Sequence, residues 1–415
     1  MECMQSTLDI FSKPPVDSSI EHSEYVQILP ISGVTNDAVI EFRIPPQASQ
    51  YIDLSKTLIH LKVKISRSDN ENLDGDKVSL IPLWSQAIFR QIDVYLNSIN
   101  VSTSTNNAAY RAWIETFLSY SKNVKNDQIT VLEHMGGTKI SETTKKFCMV
   151  EALSRINTDM MQQSKYLVNG IEVKLKLYRN NDAFLFKIDE SVTNPESYTT
   201  TITDISLYVR HITPSSSILL DHTKRLAQQT AIYPIDRSLI KTYQISKGMQ
   251  DQTISNVFID QLPSRMIIGL VKADNFNGNY KMNPFDFEHF NLSHLSLNVN
   301  GKQVPMRALE PNFADKQFRR CYYYLLETIL GPCFDERSIG LSEADYIDGK
   351  TLFGFSIIPD GNSSHALSPR HNGNININLK FKKALPDNIT VVTYSEFQNK
   401  IEIDASRTVQ TDYGF

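Results

Sequence analysis

The segments YRAWIETFLSY (Tyr110–Tyr120) and YYYLLETIL (Tyr322–Leu330) decide how this chain reads. Both centre on Glu-Thr and carry an aromatic and aliphatic stripe. In the first, Tyr110, Trp113, Ile114, Phe117 and Leu118 fall at i, i+3, i+4, i+7 and i+8, the one-sided pattern of an amphipathic helix. Asn106 or Asn107 supplies a cap for its start. In the second, Tyr322, Leu325, Leu326, Ile329 and Leu330 repeat the stripe at an offset of 212 residues (322 − 110).

Outward from these helices the period changes from 3.6 to 2. LIHLKVKI puts Ile59, Leu61, Val63 and Ile65 on one face and His60, Lys62 and Lys64 on the other, which is a strand with one dry side. VIEFRIPP alternates from Val39 and stops at Pro45-Pro46. IDVYLNSINV, NGIEVKLKLYR and ITDISLYVRHI follow the same rule. The strand pattern also recurs. Val39, Phe42 and Ile44 align with Ile240, Tyr243 and Ile245. Val94, Leu96, Asn97 and Val101 align with Leu297, Val299, Asn300 and Val304, and Ile171, Val173, Leu175 and Leu177 with Ile375, Ile377, Leu379 and Phe381. Four matches in one order identify an internal duplication of a β-rich unit of roughly 200 residues. Two units are too few for a solenoid, so each closes its own core.

Alternating strands, long loops and one helix per unit predict an all-β chain of two tandem eight-stranded jelly rolls, each with an inserted helix. An immunoglobulin-like sandwich fits less well, because such units run to about 100 residues. The expected division is an arm over residues 1–36, a first jelly roll over 37–215, a linker helix over 216–230 and a second jelly roll with its tail over 231–415. The arm is rich in Pro, Ser, Asp and Glu and reads as lying on a surface or on a neighbouring subunit.

Composition sets the class. The 415 residues are 41% hydrophobic, 10% aromatic and 21% charged, with net charge −4. That profile belongs to a folded protein and gives no global electrostatic case for binding nucleic acid. Cys3, Cys148, Cys321 and Cys333 show no CxxC spacing, which fits a reducing compartment without a disulfide framework. The N-terminal residues do not read as a signal peptide. The sequons at Asn100, Asn291, Asn362 and Asn388 are therefore expected to stay bare.

The search for chemistry predicts no catalytic, cofactor-binding or metal-binding residues. No HExxH, GxSxG or phosphate-loop pattern occurs. NGNY (Asn277–Tyr280) and DGN (Asp360–Asn362) read as turns. Glu115 and Glu327 offer one carboxylate per repeat, but each follows a core residue and is expected to face solvent or an interface. DFEHF (Asp286–Phe290) reads as a hydrogen-bonded turn rather than a metal site. Lys174, Lys176, Lys380, Lys382 and Lys383 read as solvated strand faces that discourage edge aggregation.

The wording of four stretches goes beyond pattern. FRQIDVYLNSINVSTSTNNAAYRAWIETFLSYSK (from Phe89) and MMQQSKYLVNGIEVKLKLYRNNDAF (from Met160) resemble the first half of major capsid proteins of Polinton (Maverick) elements and related adintovirus-like viruses. FNGNYKMNPFDFEHFNLSHLSLNVNGKQVP (from Phe276) and LPDNITVVTYSEFQNKIEIDASRTV (from Leu385) resemble the second half. The resemblance implies a double jelly-roll capsid protein without catalytic residues. It further implies a homotrimer forming a pseudo-hexagonal capsomer, neighbouring capsomers, a single jelly-roll penton protein, minor capsid proteins, and an icosahedral shell enclosing double-stranded DNA without reading its sequence. Its place would be the virion. The alternative from other classes is a carbohydrate-binding or glycan-hydrolysing double β-sandwich, which needs paired carboxylates in a groove between domains.

Overall fold

A computed structural model describes residues 17–31, 33, 39–120, 138–140, 145–330, 339–357 and 368–413. In the first half the principal strands are β1 (Ile20–Ile28), β2 (Ile40–Ile44), β3 (Tyr51–Arg67), β4 (Phe89–Leu96), β5 (Ile99–Asn100), β6 (Phe147–Arg155), β7 (Val173–Arg179) and β8 (Tyr198–Pro214), with helix α1 (Ala108–Ser119) between β5 and β6. They form two antiparallel sheets in the orders β1-β8-β3-β6 and β2-β7-β4-β5. After helix α2 (Ser216–Leu226) come β9 (Ala231–Ile245), β10 (Asp251–Phe258), β11 (Arg265–Lys272), β12 (Leu292–Val299), β13 (Lys302–Leu309), helix α3 (Arg319–Leu330), β14 (Leu352–Ser356), β15 (Ile375–Phe381) and β16 (Ile389–Ile403). These pair as β9-β16-β11-β14 and β10-β15-β12-β13. By rank within each half, both read 1-8-3-6 and 2-7-4-5. That is the double Greek key of a jelly roll, made twice.

Period-2 patterning explains the sandwiches. Ile59, Leu61, Val63 and Ile65 of β3 are at most 3% exposed and point at Val94, Leu96, Val173 and Leu175 of the facing sheet, all at most 1% exposed. The second core repeats this with Met266, Ile268 and Leu270 of β11 against Leu295, Leu297 and Ile377. Each half also turns one hairpin on a left-handed pair: Asn97 and Ser98 at φ 44° and 73°, Asn300 and Gly301 at 51° and 81°. Asn and Gly tolerate that region, and two such residues give the strands their native twist.

Three differences from the sequence reading have physical causes. The segment 20–28, assigned to an arm, is the edge strand β1, which lies on the molecule's own sheet against β8. Its sequence IEHSEYVQI shows no buried face, so no period announced it. In consequence the match of Val39–Ile44 with Ile240–Ile245 is one strand out of step. Residues 40–44 form β2, whose counterpart is β10, while 240–245 belong to β9, the counterpart of β1. The match of Ile171 with Ile375 slips by two residues, since Leu96 pairs with Val173 and Val299 with Ile375. A slip of two preserves the face and so leaves the hydrophobic pattern unchanged.

Cys321 is buried and Cys148 half-buried, and neither is in a disulfide among the described residues. Cys3, Cys333 and the turn at Asp360–Asn362 lie outside the described residues. Among the described residues no helix is long and apolar enough to cross a membrane.

Candidate functional site

The buried polar chemistry of this chain is concentrated where the two jelly rolls meet. Helix α1 carries it. Its aromatic stripe faces the second half: Trp113 stacks with Phe117 at 4.7 Å and with Phe285 at 5.6 Å, and Phe287 lies 5.2 Å away. Tyr110 stacks on Phe276 at 5.0 Å, and its hydroxyl donates to the Pro284 carbonyl at 2.9 Å. The wall against which α1 packs is therefore Phe276, just before the NGNY turn, Phe285, and Phe287 of DFEHF. Gly278, at φ 97°, sits with its α-carbon against the Phe184 backbone, where an added Cβ would come within 3.0 Å.

Beside the aromatic stripe, the same helix presents Arg111 and Glu115, an i,i+4 pair 6% and 8% exposed. Arg111 Nε donates to Glu115 Oε1 at 2.8 Å, and its Nη2 lies 2.7 Å from Asp159 Oδ1. Gln162 Nε2 donates to Glu115 Oε2 at 2.7 Å. From the second half, Ser238 Oγ donates to Glu115 Oε1 at 3.0 Å, and the Ser238 amide donates to Asp159 Oδ1 at 2.9 Å. The Tyr394 hydroxyl stands between two carboxylates, 2.6 Å from Glu396 Oε1 and 3.2 Å from Glu115 Oε1. Glu396 is in turn held by both arms of Arg265, one bond measuring 2.7 Å.

Burial raises the Glu115 carboxyl above its ordinary value, against the pull of Arg111. Burial works against the Arg111 charge as well, but Asp159 and Glu115 outweigh it and hold the guanidinium charged. The Tyr394 phenol is pushed well above its usual range by burial and by the two flanking carboxylates. In low dielectric such groups stabilise the interface only while every member keeps its partner.

A cavity of about 690 Å³ opens beside this cluster, lined among others by Ile114, Glu115, Ile267, Ile329, Tyr394 and Glu396. Both inserted helices thus reach the same cavity, α1 with its second half and α3 with its last turn. Around the cluster, further bonds tie the halves. Thr103 Oγ1 donates to the Ser238 carbonyl at 3.0 Å, and the Val168 amide donates to the Tyr233 hydroxyl at 3.0 Å. The C-terminal segment crosses back over the seam. Residues Val409–Thr411 pair with β16. Arg407 then reaches Asn169 Oδ1 at 2.7 Å, and the Tyr413 hydroxyl donates to the Val101 carbonyl at 2.7 Å.

The two sequence candidates have different fates. Glu115 lies at the junction of the halves; Glu327, its echo on α3, is half-buried. Asp159 and Arg265 lie outside the stretches singled out in the sequence, Tyr394 and Glu396 sit in LPDNITVVTYSEFQNKIEIDASRTV with no chemical spacing to mark them, and their separations hid the cluster. One signal was present: Arg111 and Glu115 share a helix face beside the apolar stripe, and α3 has Tyr323 where α1 has Arg111. His289 stacks on Phe313 at 4.1 Å and accepts the Asn291 amide, so DFEHF is a packed turn. Among the described residues no group of three His, Cys, Asp or Glu is placed to hold a metal ion. Lys174 and Lys176 face Glu41 at 3.4 and 3.9 Å.

Comparison with known proteins adds three likenesses of structure and one of sequence. A chain of the Sputnik virophage superposes with TM-score 0.65 at 12% identity, over 100% of this chain and 93% of that one. The mavirus major capsid protein gives 0.57 at 12% identity, over 99% and 93%. The Faustovirus major capsid protein gives 0.54 at 10% identity, over 95% and 92%. By sequence the chain is 23% identical over 418 positions to an uncharacterized protein of Caenorhabditis elegans, covering 96% of this chain and 99% of that one. No family model matches. At these identities the structural likeness establishes a fold, and that fold is the double jelly roll.

Proposed function

We propose that this chain is a major capsid protein: three copies form a pseudo-hexagonal capsomer, and capsomers tile an icosahedral shell around double-stranded DNA. The observation that carries the reading is the pair of jelly rolls with one topology, locked together through α1. Two similar units in each of three copies present six similar corners, and a sixfold outline packs a surface without gaps. The resemblance of its wording to Polinton-type capsid proteins points the same way, as does the structural likeness to the mavirus and Faustovirus major capsid proteins. In this reading the protein is not an enzyme, it resides in the virion, and its partners are its own copies, neighbouring capsomers, a single jelly-roll penton protein and minor capsid proteins. The DNA is enclosed without sequence-specific contacts, in keeping with a net charge of −4. The test is the mass of the purified full chain in solution, followed by electron microscopy. A trimer or shell-like particles support the reading, and a strict monomer at high concentration overturns it.

A second reading, a glycan-hydrolysing or carbohydrate-binding sandwich, draws on Glu115 and Glu396 flanking Tyr394 in a cavity between domains. Each carboxylate is already engaged by an arginine and only 8% exposed, which suits an electrostatic lock better than an acid and base meeting substrate. Glycan cleavage abolished by Glu396→Gln in a folded chain would establish it.

A further inference from the structure

Helix α2, which links the two jelly rolls, buries none of its eleven residues, and only Leu219 and Leu226 pack in part against the core. A helix polar on nearly every side bridges between domains rather than lying flat on a sheet. A contact from the first jelly roll anchors it: the Tyr51 hydroxyl lies 2.9 Å from His222 Nδ1, and the two rings stack at 5.8 Å. Between the end of α2, the first residues of β9 and the segment around Tyr166 this leaves a cavity of about 330 Å³. It is separate from the cavity beside Glu115 and shares no lining residue with it.

Its walls are apolar and come from all three parts of the chain. Tyr51, Tyr166 and Val168 belong to the first jelly roll, Leu226 to the linker, and Ile232 and Tyr233 to the second. The Tyr233 hydroxyl is already engaged, since it accepts the Val168 amide and donates to the Tyr166 carbonyl at 3.2 Å. The Tyr51 hydroxyl is engaged by His222. What these tyrosines have left to offer is ring surface. Ile232 stays 47% exposed, so the apolar wall is open to solvent. Apolar cavities of this volume with a few convergent polar groups, set at a domain junction, take small molecules.

The polar groups of the lining have one sign. Lys165, His222 and Arg225 are among them, and no Asp or Glu is. Lys165 Nζ donates to the Ile232 carbonyl at 3.2 Å. Arg225 pairs with Asp221 at 2.8 Å, and Asp221 stands outside the lining. Glu402, which accepts the Thr230 hydroxyl, is paired with Lys400. Arg407 adds a further positive charge. Its Nη1 is buried without a hydrogen-bond partner among the described residues, and its guanidinium lies close enough to favour the ionised form of both Tyr51 and Tyr233. Ring surface beside uncompensated positive charge suits a ligand with both characters.

We propose that this cavity binds a small amphipathic anion, a flat aromatic body carrying one carboxylate or sulfonate, with the rings among Tyr51, Tyr166 and Tyr233 and the charge at Lys165 and Arg225. One molecule there touches both jelly rolls and the linker, and so fixes α2 against the start of β9. The site stands apart from the capsid reading and does not depend on it.

Two dyes with the same ring system test it on the full chain by calorimetry and fluorescence titration: anilinonaphthalenesulfonate, an anion, and phenylnaphthylamine, which lacks the sulfonate. The sulfonate should bind once per chain and roughly tenfold tighter than the neutral dye, the scale of one hydrogen bond to a charged group. Lys165→Glu should weaken the sulfonate roughly tenfold and leave the neutral dye unchanged. Ile232→Asp should weaken both, and Met306→Asp, at an exposed apolar residue outside the lining, should weaken neither. All three positions are exposed, and circular dichroism should show an unchanged fold. Equal affinity for the two dyes, or sulfonate binding indifferent to Lys165→Glu, overturns the anionic ligand. Absence of one-to-one binding, or binding of both dyes untouched by Ile232→Asp, overturns the site itself.

Discussion

Arg111 shows how much one side chain decides. It neutralises Glu115 and Asp159 at once, and the Asp159 side chain is fully buried. Replacing it with Met keeps the apolar stem but strands two carboxylates inside the seam. The expected loss is about 3–5 kcal/mol, the cost of breaking a buried ion pair from one side. Urea denaturation should show the midpoint fall, and adding Glu115→Gln should recover part of it; an unchanged midpoint would mean the cluster contributes nothing. Cys321 makes a second case. Burial pushes its thiol up to about 12. Because the folded value is raised, the thiol stays protonated at pH 8 in the native chain, and unfolding is what releases a reactive thiolate. With Cys3, Cys148 and Cys333 changed to Ser, a thiol reagent at pH 8 should label nothing until denaturant unfolds the protein. Prompt labelling of the native chain would contradict the packing described.

Among elements, β1 is the outlier. It pairs along eight positions of β8, yet most of its side chains lie in solvent and only Ile28 reaches the core. Backbone hydrogen bonds hold it with little apolar burial beneath, and such a strand adds little to stability. Removing residues 1–30 should leave both jelly rolls folded by circular dichroism while impairing assembly. A deletion chain that fails to fold would place β1 in the core after all. The same strand shows where sequence runs out. Alternation made β3 and β7 legible because one of their faces is dry. The stripe made α1 and α3 legible for the same reason. A strand with two wet faces leaves no period, so β1 read as an arm and shifted the first repeat match by one strand.

Across the whole molecule, the duplication was legible and the seam was not. A repeat leaves a trace at constant offset, but Glu115 meets Tyr394 across 279 residues with no spacing that links the two ends. Only folding brings them together. The strap formed by residues 404–413 matters at this scale. Tyr413 is 5% exposed, bonds the Val101 carbonyl and lies with its ring 4.8 Å from the Arg237 guanidinium. Tyr413→Ala should cost about 3–5 kcal/mol, in line with truncating a buried aromatic. It should also loosen the coupling of the halves, so that calorimetry resolves two transitions where the wild type shows one. A single transition at an unchanged temperature would show that the strap is dispensable.

The difference between Arg111 on α1 and Tyr323 on α3 reaches into heredity. Two stretches of one gene that encode the same fold invite unequal crossing-over and gene conversion. Here either exchange yields a damaged product. A first-half helix copied into the second position places Arg111 and Glu115 where Asp159 and Ser238 are absent. A second-half helix copied into the first leaves Asp159 without its guanidinium. Selection would discard such recombinants, and each half would drift apart from the other while keeping its strands. Such divergence would leave a duplication plain in topology and faint in letters, as this one is.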